Sequence, residues 1–240
     1  MKSYLFSLIA ATGLFNEADW QGQWIGLDRA APGDSETRWS RLAARYLRKE
    51  FAVKKSVKCA TVHIAGMGLY ELFINGQRIG NQVLAPAPTD YRKTILYNTY
   101  DVTSLLQTEN AIGVTLGNGR FYTMRQNYKP YKIPTFGYPK LRLNLIVEYA
   151  DGSKETIATN TSWKLTTEGP IRSNNEYDGE EYDARKELGA WTQTGYDDKN
   201  WMPAQRVSIP SGTLRAQMMP GMKVTETLKD RKSTRLNSSH

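Results

Sequence analysis

An acidic stretch around residue 180 carries the side chains of this chain that are best suited to chemistry. Residues 169–185 have the sequence GPIRSNNEYDGEEYDAR. Two carboxylates cleave a glycosidic bond when they flank it ~5–5.5 Å apart for retention or ~6.5–9.5 Å apart for inversion. Because charge clusters are usually structural, we expect these acids mainly to cap backbone amides or to pair with Arg172, Arg185 and Lys186.

The same stretch offers oxygen ligands of the kind that Ca²⁺ prefers. Carboxylates alternate here with amide side chains and carbonyls, although the spacing is not that of an EF-hand. The candidate calcium ligands are Asp178, Glu180 and Asp183. Calcium is the one cofactor that the sequence suggests, because the single cysteine and the two histidines have no zinc-type spacing.

A long aperiodic segment is the second candidate for function. Residues 121–139 have the sequence FYTMRQNYKPYKIPTFGYP, and loops of this length are usually functional or mobile. Flat rings among cationic side chains suit stacking on sugar faces, and they suit equally well packing against another domain. We predict a carbohydrate site where this loop meets the acidic stretch. Its candidate residues are Tyr122, Arg125, Tyr128, Tyr131, Asn175, Asp178 and Glu180.

A short hairpin pattern shows which elements must position these residues. Residues 70–80, YELFINGQRIG, alternate between apolar and polar side chains, as in a half-buried strand. Asn75 and Gly76 both accept positive φ at low cost, which is the signature of a type I′ turn. A hairpin of this kind must bury one face against another sheet.

The remaining pattern predicts an all-β fold. Short strand-like segments recur at even spacing with little helical periodicity, which is typical of a β-sandwich. We expect a short edge strand in 19–26, a central strand at 111–116, a turn at Asp151-Gly152 and a helical turn at 102–106. The predicted architecture is an antiparallel β-sandwich with long loops and few short helical turns.

Bulk properties exclude two classes of partner. The net charge is +8 over 240 residues, but basic residues are spread among acids and no basic run exceeds two residues. This pattern indicates a solvated surface rather than a nucleic-acid interface. No apolar run reaches the ~18–20 residues of a membrane span.

Several consecutive blocks resemble the N-terminal domain of bacterial α-L-rhamnosidases, over about residues 16–229. They are YELFINGQRIG, LAPAPTDYRKTILYNTYDVTSLL, NAIGVTLGNGRFY, YADGSKETIATNTSWK, GPIRSNNEYDGEEYDAR and DDKNWMPA. The resemblance implies a galactose-binding-like β-sandwich, of jelly-roll type, that precedes a catalytic (α/α)6 barrel and contributes substrate recognition or docking rather than catalysis. It implies two partners, the barrel of the same enzyme and a rhamnose-containing glycan, and it favours a periplasmic or extracellular location over the cytoplasm.

The chain departs from the family pattern at two points. Many members have Trp-Tyr after Gly-Asn-Gly, whereas this chain has Arg120-Phe121-Tyr122, so no ligand role of that Trp carries over. The acidic Asp-Glu-Arg motif of the family's barrel does not occur, so the resemblance implies no catalytic residue here. The alternatives are a stand-alone carbohydrate-binding sandwich with another sugar specificity and a self-sufficient glycosidase that uses the acidic stretch.

The resemblance and the composition together predict four segments. Residues 1–15 are expected to be the end of a preceding domain or a leader, and residues 16–215 the β-sandwich. Residues 216–229 are expected to form a linker into a following domain. Residues 230–240 lack periodicity and relation to what precedes them, so we expect a non-native tail that packs against nothing.

Overall fold

The structure is a computed structural model, and it describes residues 13–14, 16–29, 42–123, 136–177 and 179–229. The expected tail and most of the expected leader lie outside this part of the chain, as does the middle of the aromatic loop.

Strands dominate the described residues. In chain order they are β1 (Ile25–Gly26), β2 (Arg45–Ala52), β3 (Val57–Met67), β4 (Leu69–Ile74), β5 (Gln77–Arg78), β6 (Thr94–Asp101), β7 (Glu109–Gly117), β8 (Lys140–Tyr149), β9 (Lys154–Ala158), β10 (Lys164–Thr166), β11 (Ile171–Asn175), β12 (Gly179–Tyr182), β13 (Met202–Pro203), β14 (Gln205–Arg206) and β15 (Thr213–Ala216). Short 3₁₀ turns occupy Glu17–Asp19, Thr103–Leu105 and Ala184–Lys186. Within the described ranges, no helix has the length and apolar character needed to cross a membrane.

The strands form two large sheets and one separate hairpin. The first sheet has the order β14-β1-β8-β3-β6-β15, with β9 also pairing with β8. The second has the order β13-β10-β2-β7-β4-β5, and β11 pairs only with β12. The pairings are antiparallel except that β15 runs parallel to β6. The predicted all-β sandwich is therefore confirmed, with one parallel pair at an edge.

Alternation along the strands places one face of each sheet in a shared core. Successive side chains of a strand point to opposite faces, so every second residue is buried between the sheets. Both sheets and the chain around Trp163 contribute to one hydrophobic cluster. Its fully buried members include Val62, Ile64, Leu143, Leu145, Ile112, Val114, Leu116, Leu47 and Trp163.

Smaller clusters cover the outer faces of both sheets. Met67 and Tyr97 on the first sheet pack with Trp20 and Trp24. Tyr46 on the second sheet packs with Trp191 and Trp201. The long connections thus supply the aromatic side chains that shield each sheet from solvent.

The predicted hairpin at Asn75-Gly76 is confirmed. Asn75 has φ 50° and Gly76 has φ 83°, and Ile74 pairs with Gln77 across the turn. The Asn75 side chain fixes this turn to neighbouring chain, since its Nδ2 donates to the Leu105 carbonyl at 2.9 Å and its Oδ1 accepts from the Ala111 amide at 2.8 Å.

Replacing Gly76 by valine is expected to destabilise the protein by ~1–2 kcal/mol or more, because a β-branched residue is strained at positive φ. The cost should come mainly from the backbone, since a Cβ at this position meets only the flexible Gln193 side chain, at 3.1 Å. Urea unfolding would measure the change. Gly76→Asn is the matched control, because asparagine tolerates this conformation, and equal losses for both variants would contradict the explanation.

The expectation of an edge strand in 19–26 was wrong in one respect. Only Ile25–Gly26 is a strand, and it lies between β14 and β8 rather than at an edge. Its second neighbour comes from residues 205–206. A partner so distant in the chain leaves no local pattern, so the sequence alone did not reveal it.

Candidate functional site

A cleft of about 670 Å³ lies on the outer side of the second sheet. Its floor comes from β4 and β7, through side chains such as Leu69, Glu71 and Thr115 that point away from the core. The β11–β12 hairpin forms one wall, and a loop at residues 83–88 with Met222 forms another. The cleft therefore joins five segments, which together extend from residue 69 to residue 222.

The polar wall is fixed to the end of β7. The Asn118 amide donates to Oδ1 of Asn174 at 2.6 Å. Arg120 and Glu176 form an ion pair at 3.7 Å. The acidic stretch thus contacts residues 118–120, which directly precede the aromatic loop, and Arg120 lines the cleft with it. The polar lining consists of Glu71, Thr115, Arg120, Asn174, Asn175, Glu176 and Glu180.

Two of the predicted sugar-binding residues lie in this wall. Asn175 ends β11, where its Oδ1 accepts a hydrogen bond from the Tyr177 amide at 2.8 Å. Glu180 lies on β12 opposite Asn174 and is exposed. Both residues line the cleft. The hairpin thus contributes amide and carboxylate groups to the lining of the cleft, and both kinds of group bind sugar hydroxyls.

The described aromatic residues of the loop pack against other rings of the domain and do not form a sugar-stacking surface in the cleft. Tyr122 is only 6% exposed and stacks on Tyr138 with ring centroids 5.6 Å apart. Phe121 stacks on Phe136, and both rings contact Tyr91 edge-on. These rings pack inside the domain, so Tyr122 does not line the cleft. The other predicted loop residues and one acidic residue, namely Arg125, Tyr128, Tyr131 and Asp178, lie outside the described residues.

The expected calcium site stays a prediction, because Asp178, one of its three ligands, lies outside the described residues. Asp183 caps the following turn and uses both carboxylate oxygens to accept hydrogen bonds from the Arg185 guanidinium, at 2.8 and 2.9 Å. This pairing lowers the pKa of Asp183 to about 2. Among the described residues, no group of three or more His, Cys, Asp or Glu side chains is arranged to hold a metal ion. The expectation that these acids would cap amides or pair with basic residues is confirmed for Asp183.

The apolar wall was not foreseen from the sequence. Residues 84–90, LAPAPTD, contain two prolines, which indicate a loop but not what that loop contacts. In the structure, the Val83 amide donates to the Met222 carbonyl at 2.9 Å, which ties this loop to the C-terminal part of the described chain. The apolar lining consists of Leu69, Tyr70, Val83, Leu84, Pro88, Tyr91, Ile171 and Met222. Burial raises the pKa of Tyr91 to about 12.

The fold and cleft define a β-sandwich domain with a concave site beside one sheet, and comparison with known proteins identifies its family. The chain belongs to the family of α-L-rhamnosidase N-terminal domains, whose model matches residues 55–226. An α-L-rhamnosidase of Formosa agariphila is 37% identical over 231 residues, which cover 88% of this chain and 24% of that protein.

Solved structures of α-L-rhamnosidases share the fold. The enzyme from Dictyoglumus thermophilum has a TM-score of 0.76 at 40% identity, covering 90% of this chain and 24% of that one. The Streptomyces avermitilis enzyme, solved with L-rhamnose, has a TM-score of 0.64 at 39% identity, covering 70% and 16%. The chain spans about a quarter of the length of the curated relatives that it matches first.

Proposed function

We propose that this chain is the non-catalytic N-terminal β-sandwich of an α-L-rhamnosidase and that its cleft binds a rhamnose-containing glycan. The catalytic (α/α)6 barrel of the same enzyme is its second partner in this proposal. Residues 16–215 would form the sandwich and 216–229 the segment that connects it to the rest of the enzyme. Family membership supports the rhamnosidase context, and the cleft supports the carbohydrate role.

The chemistry of the cleft carries the carbohydrate proposal. A sugar has hydroxyl groups that need hydrogen-bonding partners and C–H faces that prefer apolar surface. The polar wall offers Asn175 and Glu180, and the opposite wall offers Leu84 and Met222. A concave site with a few polar groups set against apolar lining is the usual form of a small-molecule site.

The carboxylates of the cleft argue against catalysis. Glycoside hydrolysis needs two carboxyl groups facing the bond from opposite sides. Glu71 is held by Arg78 at 3.0 Å, and Glu176 is paired with Arg120 at 3.7 Å. Glu180 therefore lacks an unengaged carboxylate partner among the described residues that line the cleft.

We expect this chain alone to release no aryl alcohol from an aryl α-L-rhamnoside. Glu180 would lack the second carboxyl group that the reaction requires. A colorimetric assay against a full-length relative measures this directly. Release that disappears in Glu180→Gln would show that the acidic stretch is catalytic and would contradict the assignment.

A glycan array tests the ligand class. Binding restricted to glycans with terminal rhamnose is the expected result, because the proposal places this module in a rhamnosidase. Binding only to other sugars would instead support a stand-alone carbohydrate-binding sandwich of different specificity. The Glu180→Gln variant should show weaker signals on the same spots, since it loses the charge on one wall of the cleft.

A further inference from the structure

Exposed apolar side chains concentrate in one segment near the C-terminal end of the described chain. Five of the nine large apolar side chains that are exposed in the described residues fall within 218–228. They are Met218, Met219, Met222, Val224 and Leu228, with Met218 90% exposed. Scattered exposed apolar residues are ordinary, but a concentration of them marks an interaction surface. Residues 217–229 are called the strap below.

The strap has the pattern of a half-buried strand. Met222, Val224, Glu226 and Leu228 occupy alternate positions, so that side is apolar except at Glu226, and Lys223, Thr225, Thr227 and Lys229 occupy the positions between them. This period of two places apolar and polar side chains on opposite sides of an extended chain. Residues 224–229 are all exposed, and the structure shows no backbone hydrogen bond from them to other described residues. The apolar side therefore lies uncovered.

The first half of the strap is anchored firmly to the sandwich. The Gln217 amide donates to the Tyr97 carbonyl at 2.9 Å, and Oε1 of Gln217 accepts from the Ala87 amide at 3.0 Å. The Met222 carbonyl accepts from Val83, and Lys223 pairs with Gln82. The exposed side chains of Met218, Met219 and Met222 are thus presented at a fixed place on the domain.

The strap also borders the cleft. Met222 and Leu84 line the apolar wall and are 50% and 56% exposed. Any body that covers the apolar side of the strap must approach this rim of the cleft. Binding sites occur preferentially at such interfaces between domains, because the second body completes the enclosure.

We propose that the strap is the docking surface for the remainder of the rhamnosidase, meaning the part outside the matched residues, and that this part completes the apolar end of the cleft. The family model ends at residue 226, within the strap. About three quarters of the Formosa agariphila enzyme and of the Dictyoglumus thermophilum enzyme lies outside the matched part. Because the matched family is an N-terminal domain, the remainder of the proposed enzyme follows this segment. The inference rests on the proposed function and adds the surface and its link to the cleft.

Methionine oxidation tests the docking surface. The full chain would be fused at its C terminus to the part of the Dictyoglumus thermophilum enzyme that lies outside the match. The fusion protein and the free chain would then each be treated with hydrogen peroxide. Oxidation follows exposure, so Met218 and Met219 should oxidise at least about fivefold more slowly in the fusion. Mass spectrometry of peptides would report each rate.

Two variants make the result specific. Ile209→Met adds a reporter at a position that is 70% exposed and outside the strap, and its rate should stay within about twofold between the two proteins. Val224→Asp with Leu228→Asp should restore fast oxidation of Met218 and Met219 in the fusion, while the sandwich keeps its melting temperature.

Equal oxidation of Met218 and Met219 in the free chain and in a folded fusion would overturn the proposal, as would equal protection of the Ile209→Met reporter. Protection without any glycan binding would leave docking intact and remove the carbohydrate role. Glycan binding without protection would remove the docking surface alone, so the two failures are distinguishable.

Discussion

Replacing Arg48 by methionine is expected to destabilise the protein by about 2–4 kcal/mol, because it removes a buried charge around which several groups are arranged. Arg48 lies on β2 with a side chain that is 1% exposed. Its guanidinium donates to the carbonyls of Trp191 and Gln193, each at 3.0 Å, and pairs with the carboxylates of Asp198 and Glu50.

The loss should be concentrated in the segment that Arg48 holds. Without the guanidinium, two carbonyls and the Asp198 carboxylate lose their common partner, and the cluster of Trp191 and Trp201 keeps only its packing on Tyr46 and its neighbours to hold it to the second sheet. Urea unfolding followed by tryptophan fluorescence measures this. Arg215→Met on the exposed side of β15 is the matched control and should change stability by no more than about 0.5 kcal/mol. A similar small change for Arg48→Met would refute the role given to Arg48.

Replacing Trp163 by alanine is expected to cost about 3–5 kcal/mol, because it empties a large volume in the core between the sheets. Trp163 has no exposed surface. Its indole Nε1 donates to the Ala158 carbonyl at 3.1 Å, and its own carbonyl accepts from the Ala204 amide at 2.8 Å. The ring thus fills the core where β9, β10 and β13 approach each other.

Trp163→Phe separates the effect of the lost side-chain volume from the effect of the lost indole hydrogen bond. It keeps most of the apolar contact and leaves only the Ala158 carbonyl without its donor, so the expected loss is about 1–2 kcal/mol. Chemical denaturation of both variants gives the comparison. Equal losses would mean that the indole hydrogen bond, rather than the filled volume, dominates at this position.

Local sequence was sufficient for the hairpin and the class of fold. The turn at Asn75-Gly76, the alternation along β4 and the apolar run of β7 depend on residues that are close in the chain, so their pattern predicted their structure. The family resemblance was also confirmed. The Asp183–Arg185 pair is two residues apart, and this short range explains why a structural role for that acid was foreseeable.

Long-range packing decided what the sequence left open. Phe121 and Tyr122 were equally suited to a sugar or to another domain, and they pack instead on Tyr91 and on Leu42 with Tyr138. Arg48 reaches Asp198, 150 residues away. The apolar wall depends on Val83 meeting Met222. None of these contacts has a local signature, so the acidic wall of the cleft was predictable and its apolar wall was not.

Calorimetric titration with L-rhamnose tests the central claim most directly. It would be run with and without Ca²⁺, so that binding which needs the ion is also detected. The account predicts saturable heat with a Kd on the order of 1 mM or tighter, equivalent to about 4 kcal/mol or more. Glu180→Gln should weaken binding about five- to tenfold, since a charged hydrogen bond becomes neutral. Glu181→Gln, the next residue on the same strand and outside the cleft lining, should bind as the unchanged protein does. Absence of heat at millimolar L-rhamnose under both conditions would contradict the account.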